Sequence, residues 1–390
     1  MTVTPVLLAL ALFDELARGV STVAAPDIES AFATSHAMLA ALLFVGPGIV
    51  ALCIEPIIFL LADRYPRAWF VRGGLTALAI ATVLAGLAPG PIALSCAISV
   101  CWIATGSASS LAQATLIDRA PDQRAKTMAR WTLLALIGDI CAPALLAGLG
   151  ALGLGWRAGY VIVGGLLGGW AIVTWLVPLP HTTSSDDDDD AGDEPKLGLW
   201  AALREALRDR VLMLWLFGLA LCDLLDEILV VFATLHVKGA LGGDTFAQSA
   251  VVATSMGAGA IGLVALEKLL AKHGERALLI WFGSACACAF AAWICAPNVW
   301  SSIVLMIPVG ATATPLYPLV AAQAFARRPE SSGAVLAASH LFTPLGLALP
   351  FAVGAIADHA GTYVALAVLI VQPIGLVVLA MAMKPPPPRV

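Results

Sequence analysis

Apolar residues run along this chain in long blocks, interrupted by short polar turns. Read with a window of about 20 residues, the length of helix that crosses a bilayer, the first six blocks fall near 5–30, 37–62, 69–88, 91–117, 126–152 and 158–179. A second six fall near 211–237, 245–268, 276–296, 298–326, 331–357 and 361–383. The turns between them are rich in Gly, Pro and Asp, as in Ala88-Pro89-Gly90-Pro91 and Gly242-Gly243-Asp244. This pattern predicts an all-α membrane protein with twelve transmembrane helices. It divides into a bundle over 1–180, an acidic linker with a surface helix over 181–210, and a second bundle over 211–390.

Composition agrees. Of 390 residues, 60% are hydrophobic and 12% charged, with a mean hydropathy of +0.92. A soluble globular chain carries about a quarter charged residues, and a disordered one has low hydrophobicity, so both classes are excluded. No Lys/Arg-rich patch suited to nucleic acid is present. The eight cysteines all lie in apolar runs, where they behave as small hydrophobes; no metal site is expected. The first block is broken by Asp14, Glu15 and Arg18 and has no cleavage site after it, unlike a secretory signal.

Charge placement predicts orientation. With the N-terminus inside, Arg64, Arg67, Arg72, Arg119, Arg124, Lys126 and Arg130 fall on the cytoplasmic side, as do the basic residues of the central loop, the second half and the tail. In all, 18 of the 21 basic residues are inside, as the positive-inside rule requires. Both ends are therefore expected in the cytoplasm of a multi-pass plasma (inner) membrane protein. Between the halves, Asp186 to Asp190, Asp193 and Glu194 form a self-repelling, solvated linker. Leu199, Trp200, Leu203 and Leu207 then repeat at helical spacing against Arg204, Glu205 and Arg208, the pattern of a helix lying on the membrane surface.

The halves echo each other. Phe13-Asp14-Glu15-Leu16 in the first span answers Leu225-Asp226-Glu227-Ile228 in the seventh. A six-plus-six repeat is the signature of a transporter that rocks two bundles about a central site. Charges inside the membrane sharpen that reading, since each costs about 3 kcal/mol at the bilayer centre and marks function when present. Asp14, Glu15, Glu55, Asp139, Asp223, Asp226 and Glu227 fall within predicted spans, against the base Arg18 and a candidate second, His340. Asp14 and Arg18 are four apart and can pair on one helix face, which leaves Glu15 without that partner. As a continuous helix, the seventh span crowds Asp223, Asp226 and Glu227 on nearly one face. At least one of the three is then expected to hold a proton near neutral pH or to share a cation. Proton carriage, a counter-charge for cationic cargo and structural hydrogen bonding all remain open for this cluster.

The loop Leu61-Ala62-Asp63-Arg64-Tyr65-Pro66-Arg67 resembles the signature loop after the second helix of the major facilitator superfamily, with Asp63, Arg64 and Arg67 matching. Phe59 and Pro66 stand where that family usually has glycine. Ile117-Asp118-Arg119-Ala120-Pro121 through Arg124 resembles the family's loop between helices 4 and 5, and Gly155-Trp156-Arg157 its start of helix 6. The resemblance implies two pseudo-symmetric six-helix bundles, with helices 1, 4, 7 and 10 lining a central cavity and helices 2, 5, 8 and 11 sliding past each other. It puts the acids of helices 1 and 7 at the cavity, with Trp102, Gln113, Tyr317 and Gln323 as further candidates to line it. It implies that Asp63 and Arg67 steady one alternating-access state. Glu55, Asp139 and His340 would then lie at the sliding interface, with His340 near enough to Glu55 for a pH-sensitive gate. Gly138-Asp139-Ile140-Cys141-Ala142-Pro143 resembles a degraded fifth-helix motif of proton-coupled exporters, with Ala142 replacing a glycine.

Together these readings predict a monomeric, proton-coupled secondary transporter of a small organic molecule, working by alternating access in a lipid bilayer. Export of a cationic or zwitterionic compound by proton antiport is preferred; import of a small nutrient by proton symport or uniport is the alternative. No cofactor is expected. The chain has no phosphate loop of the lysine-serine/threonine type, which excludes an ATP-driven pump. It also lacks the paired aspartate motifs of an intramembrane protease, so no enzyme is predicted.

Overall fold

The computed structural model describes residues 3–179, 199–329 and 331–383. The acidic run at 186–194 and the tail bases Lys384 and Arg389 lie outside the described residues. In chain order the spans are α1 (Val3–Val23), α2 (Met38–Ala62), α3 (Arg67–Gly86), α4 (Pro91–Arg119), α5 (Pro121–Ala151) and α6 (Trp156–Leu176). Then come α7 (Arg210–Leu221 and Glu227–Gly239), α8 (Thr245–Leu269), α9 (Glu275–Ile294), α10 (Val299–Arg327), α11 (Ser332–Ala360) and α12 (Thr362–Ala382). Ten of these are long and apolar enough to cross a membrane; α1 carries three charges and α7 is broken. Helices are the form such sequences must take, because lipid offers backbone N–H and C=O groups no partners.

Polar residues set the ends. Asp209 accepts from the N–H groups of Val211 and Leu212 at the start of α7. Asp244 caps α8 through Ala247, and Asn298 with Ser301 forms a capping box at α10. Gly242 sits at φ +66°, a left-handed turn position suited to glycine. The first predicted span is shorter than its apolar block: α1 ends at Val23, and a separate helix, Ala25–Phe32, follows with a proline in its first turn. The predicted surface helix is present as Leu199–Arg208, with Trp200 exposed and Ala206 buried.

The chain forms two compact units. The first comprises 1–120, 131–205 and 330–340; the second comprises 121–130, 206–329 and 341–390. Each unit thus takes in a short piece from the other half of the sequence: the start of α11 belongs to the first unit and the start of α5 to the second. A linear division at the linker misses this exchange, because apolar periodicity carries no information about which neighbour a helix end joins.

Packing inside each unit relies on small residues that let backbones approach, the usual device where lipid removes the hydrophobic drive. In the first unit a Cβ on Gly74 of α3 would lie 2.8 Å from the Ala108 amide of α4. In the second, Gly262 of α8 faces the Ala311 backbone of α10, and Gly310 of α10 faces the Ser255 backbone of α8.

The departures from regular α-helix fall beside the polar candidates. α4 carries a π segment over Gly106–Ser110, and α2 another over Ala41–Val45. α7 passes through a 3-10 turn, Cys222–Leu225, to Asp226 at φ −105° and ψ −84°. α10 breaks at Thr314–Pro315, and α11 has a 3-10 turn at His340–Phe342.

Candidate functional site

In the first unit the polar interior is built around α4. Asp14 is buried on α1 and accepts a hydrogen bond from the Thr105 hydroxyl of α4 at 2.9 Å, and Ser109 also bonds it. At the next residue along from Thr105, the Glu55 carboxyl of α2 rests on Gly106. A Cβ at Gly106 would lie 2.7 Å from Glu55 Cδ, so only glycine leaves room for that carboxyl. Glu55 Oε2 in turn meets His340 Nε2 at 3.1 Å, and the His340 ring packs at 5.4 Å on that of Phe59. His340 Nδ1 is buried with no hydrogen-bond partner among the described residues.

Arg18 serves both acids of α1: its charge acts on Asp14, as expected, and it also forms an ion pair with Glu15 at 3.4 Å, so Glu15 is not left without a base. Positions three apart share a helix face as positions four apart do, and Arg18 and Glu15 are both more exposed than the buried Asp14. α5 meets α1 through small residues: Gly138 against Leu12 and Glu15, and Ala142 against Gly19. The residues of the fifth-helix motif thus serve a close helix crossing, with Asp139 half-buried beside it.

At one end of the first unit, Arg67 bridges Asp63, at 2.8 Å, and Asp118, at 2.5 Å. Asp63 also caps α11: its Oδ1 accepts from the Gly333 N–H and its Oδ2 from the Ala334 N–H, both at 3.0 Å. Ser332 Oγ donates to Asp118 at 2.7 Å. Four side chains and a helix N-terminus therefore form one network. Burial pushes the Asp63 carboxyl above its ordinary range, while Arg67 and the two N–H groups pull it down. Arg64, the third residue of the signature, is exposed.

The second unit holds the start of α5 by a different set of groups. Glu275, the first residue of α9, accepts from the Ala125 N–H and from the Gln323 amide. Arg130 and Lys126 pair with Glu267 at the end of α8. Gln323, expected in a central cavity, instead serves this contact near the last turn of α10.

The acids of α7 also differ from expectation. The 3-10 turn and the Asp226 backbone interrupt the helix within the cluster, so α-helical spacing does not place these carboxylates on one face. Asp226 and Glu227 are exposed, and Glu227 sits in the first turn of the following helix, where the helix dipole favours an acid. The side chain of Asp223 lies outside the described residues. The 14–15 and 226–227 pairs are therefore alike in sequence and unlike in setting: one in an unbroken helix, the other at a helix break. Among the remaining candidates, Trp102 packs against Gly48 of α2, Gln113 is buried, and Tyr317 is half-buried just after the α10 break.

The sequence profile of the Major Facilitator Superfamily matches residues 7–349. The chain belongs to the major facilitator superfamily. Its members are transporters, which makes this chain a secondary transporter of the membrane. The fold agrees. The E. coli fucose:proton symporter FucP has a TM-score of 0.79 at 14% identity, over 97% of this chain and 98% of that one. A bacterial homologue of the iron transporter ferroportin has 0.75 at 14%, over 98% and 100%. The human organic anion transporter MFSD10 has 0.75 at 15%, over 97% and 98%. A comparison with curated protein sequences finds no match.

The superfamily's signature loop marks Asp63, Arg64 and Arg67 in the sequence but not the groups they meet. Asp118 was visible in a loop resembling that between helices 4 and 5, and an acid there within reach of a signature arginine is a usable signal. Glu275 was visible too, as the counterpart of Arg67 at the first position of a corresponding helix. Nothing in the apolar pattern pointed to Gly106 or Thr105, whose importance rests on the π segment.

Proposed function

We propose that this transporter couples proton movement to the passage of a small organic molecule by alternating access, with Asp14 as a proton-carrying group. One observation carries the reading: Asp14 is a buried carboxyl within a membrane helix whose hydrogen bonds come from neutral hydroxyls. A carboxyl so placed is stable in its neutral form and costly as an anion, which suits a group that gains and loses a proton. Asp226 and Glu227 are exposed at the α7 break, where freed backbone groups and carboxylates are offered together. The excess of acids over bases, with Arg18 already engaged by Glu15, favours a cationic or zwitterionic cargo and hence export by antiport. The Asp63–Arg67–Asp118 network and the Glu275–Gln323 contact hold the first turns of α11 and α5, and they would be released and remade during the cycle.

Symport or uniport of a small nutrient is a second reading, supported by fold neighbours such as the fucose:proton symporter. The two separate in one experiment. The thermal stability of the detergent-purified chain is measured against a broad ligand panel at about pH 6 and about pH 8; a ligand that binds the folded state raises Tm by mass action. Cationic compounds stabilising mainly at the higher pH indicate competition with protons, as antiport requires. Neutral or anionic compounds stabilising mainly at the lower pH replace export by symport.

A further inference from the structure

The surface helix, Leu199–Arg208, has one apolar side turned inward and another left open. Ala206 is fully buried, whereas Trp200 is 71% and Leu207 40% exposed. At about 100° per residue, Trp200, Arg204, Leu207 and Arg208 fall within roughly 100° of one another, and Ala206 lies about 120° from Trp200. Both arginines are exposed. The one acid of this helix, Glu205, stands about 140° from Trp200, beyond the edge of that stripe. Asp209, the next residue, does not offset the arginines: its carboxylate accepts the N–H groups of Val211 and Leu212 and pairs with Arg327 at 3.4 Å. Arg204, Arg208 and the following Arg210 have no ion pair among the described residues. Only Asp209 separates the helix from Arg210, where α7 begins, so the end of the stripe lies beside the start of a membrane span.

We propose that this stripe is a binding site for the headgroup of an anionic phospholipid. Trp200 and Leu207 enter the boundary between headgroups and acyl chains, where an indole is favoured. Arg204 and Arg208 lay their apolar stems along the same boundary and hold the phosphate with their guanidinium forks. Arg210 adds a third positive charge. A zwitterionic lipid covers the apolar pair equally well, but its own cation opposes the three arginines. A soluble anion meets the arginines and leaves the indole in water. Only a lipid of net negative charge serves both, and that sets the occupant. The assignment goes beyond transport and does not depend on the cargo or its coupling. Its consequence is local: a bound headgroup fixes the helix one residue before α7, the span that breaks at Cys222–Leu225.

The test uses the full-length protein in phosphatidylcholine liposomes, titrated with phosphatidylglycerol whose acyl chains are brominated near the headgroup. Bromine quenches tryptophan at contact range, and the difference between wild type and Trp200→Phe isolates the Trp200 signal from the other tryptophans. Brominated phosphatidylglycerol is expected to quench Trp200 at a clearly lower mole fraction than brominated phosphatidylcholine does. Arg204→Gln and Arg208→Gln should each weaken that preference about fivefold, and added salt should weaken it further. Equal quenching by the two lipids overturns the anionic site, and so does an unchanged preference in the glutamine variants. No quenching of Trp200 by either lipid places the helix away from the bilayer and overturns it as well. Loss of the preference on adding glycerol phosphate makes this a site for free phosphate instead of lipid. The wild-type comparison of the two lipids stands by itself, and unchanged melting of the variants separates lost binding from misfolding.

Discussion

The carboxylate of Asp63 accepts the N–H groups of Gly333 and Ala334, so an acid at the end of α2 caps α11 across 270 residues of sequence. The contact is close because Gly333 has no side chain: a Cβ there would lie 2.6 Å from Asp63 Oδ1 and would run into the Phe59 carbonyl. Backbone carbonyls cannot yield as a flexible side chain can. Gly333→Ala is therefore expected to cost about 1–3 kcal/mol through overpacking, read as a lower Tm. A wild-type Tm in that variant would show the cap to be looser than described.

Asp63 also predicts a pH dependence. Because burial raises its carboxyl in the folded state, its contribution to stability is fullest at acid pH and falls as pH rises through the folded value. Asp63→Asn removes that titration. The Tm of the wild type should thus fall relative to Asp63→Asn as pH increases from the acid range toward neutrality. A constant difference across the series refutes the assignment.

Arg67 joins two carboxylates and is nearly buried, with a side-chain exposure of 6%. Removing it leaves Asp63 and Asp118 facing each other without a base. Arg67→Ala is expected to cost roughly 3 kcal/mol, the low end for breaking a buried pair because the acids are partly exposed. Arg67→Lys recovers only part of this, since an ammonium lacks the fork that reaches both acids. Equal stability of the Ala and Lys variants would argue against the bridge.

The second unit offers a contrast in magnitude. Glu267 pairs with Arg130 and Lys126 at an exposed position, with exposures of 30%, 48% and 36%. Glu267→Gln should change stability by only about 0–1 kcal/mol, less at high salt. Glu275→Ala leaves the Ala125 N–H and the Gln323 amide without their acceptor, and should cost about 1–3 kcal/mol. Measured melting curves in low and high salt rank the two; the reverse order removes Glu275 as the anchor of α5.

Much of the architecture was legible in residues such as Asp63, Arg64 and Arg67, and in the apolar blocks that became α1 to α12. Apolar blocks state where a helix can cross a membrane, and the signature loop states which family's loop it resembles. Neither reports the local winding of the helix. Spacing alone therefore puts Asp223, Asp226 and Glu227 on one face of a continuous helix, whereas α7 breaks at those residues. Gln323 is a polar side chain in an apolar run and looks like a cavity group until Glu275 is found beside it. Arg18 has two acids within reach on one helix, and spacing alone does not show that it serves both. Glu55 and His340, 285 positions apart in sequence, are brought together by the start of α11 joining the first unit.

The π segment of α4 also sets a phase. Thr105 on one side of it turns toward Asp14, and Asp118 on the other turns toward Arg67. Each residue added to or taken from an α-helix rotates everything beyond it by about 100°. Losing a single residue from the regular helix between 111 and 117 would swing Asp118 away from Arg67, or Thr105 away from Asp14, whereas one lost from 106–110 would only return the π turn to ordinary winding. One helix therefore acts as a keyed shaft, with the membrane acid registered at one end and the Asp63 network at the other. Sequence relatives of this chain should tolerate substitutions between 111 and 117 far more readily than changes in the length of that stretch.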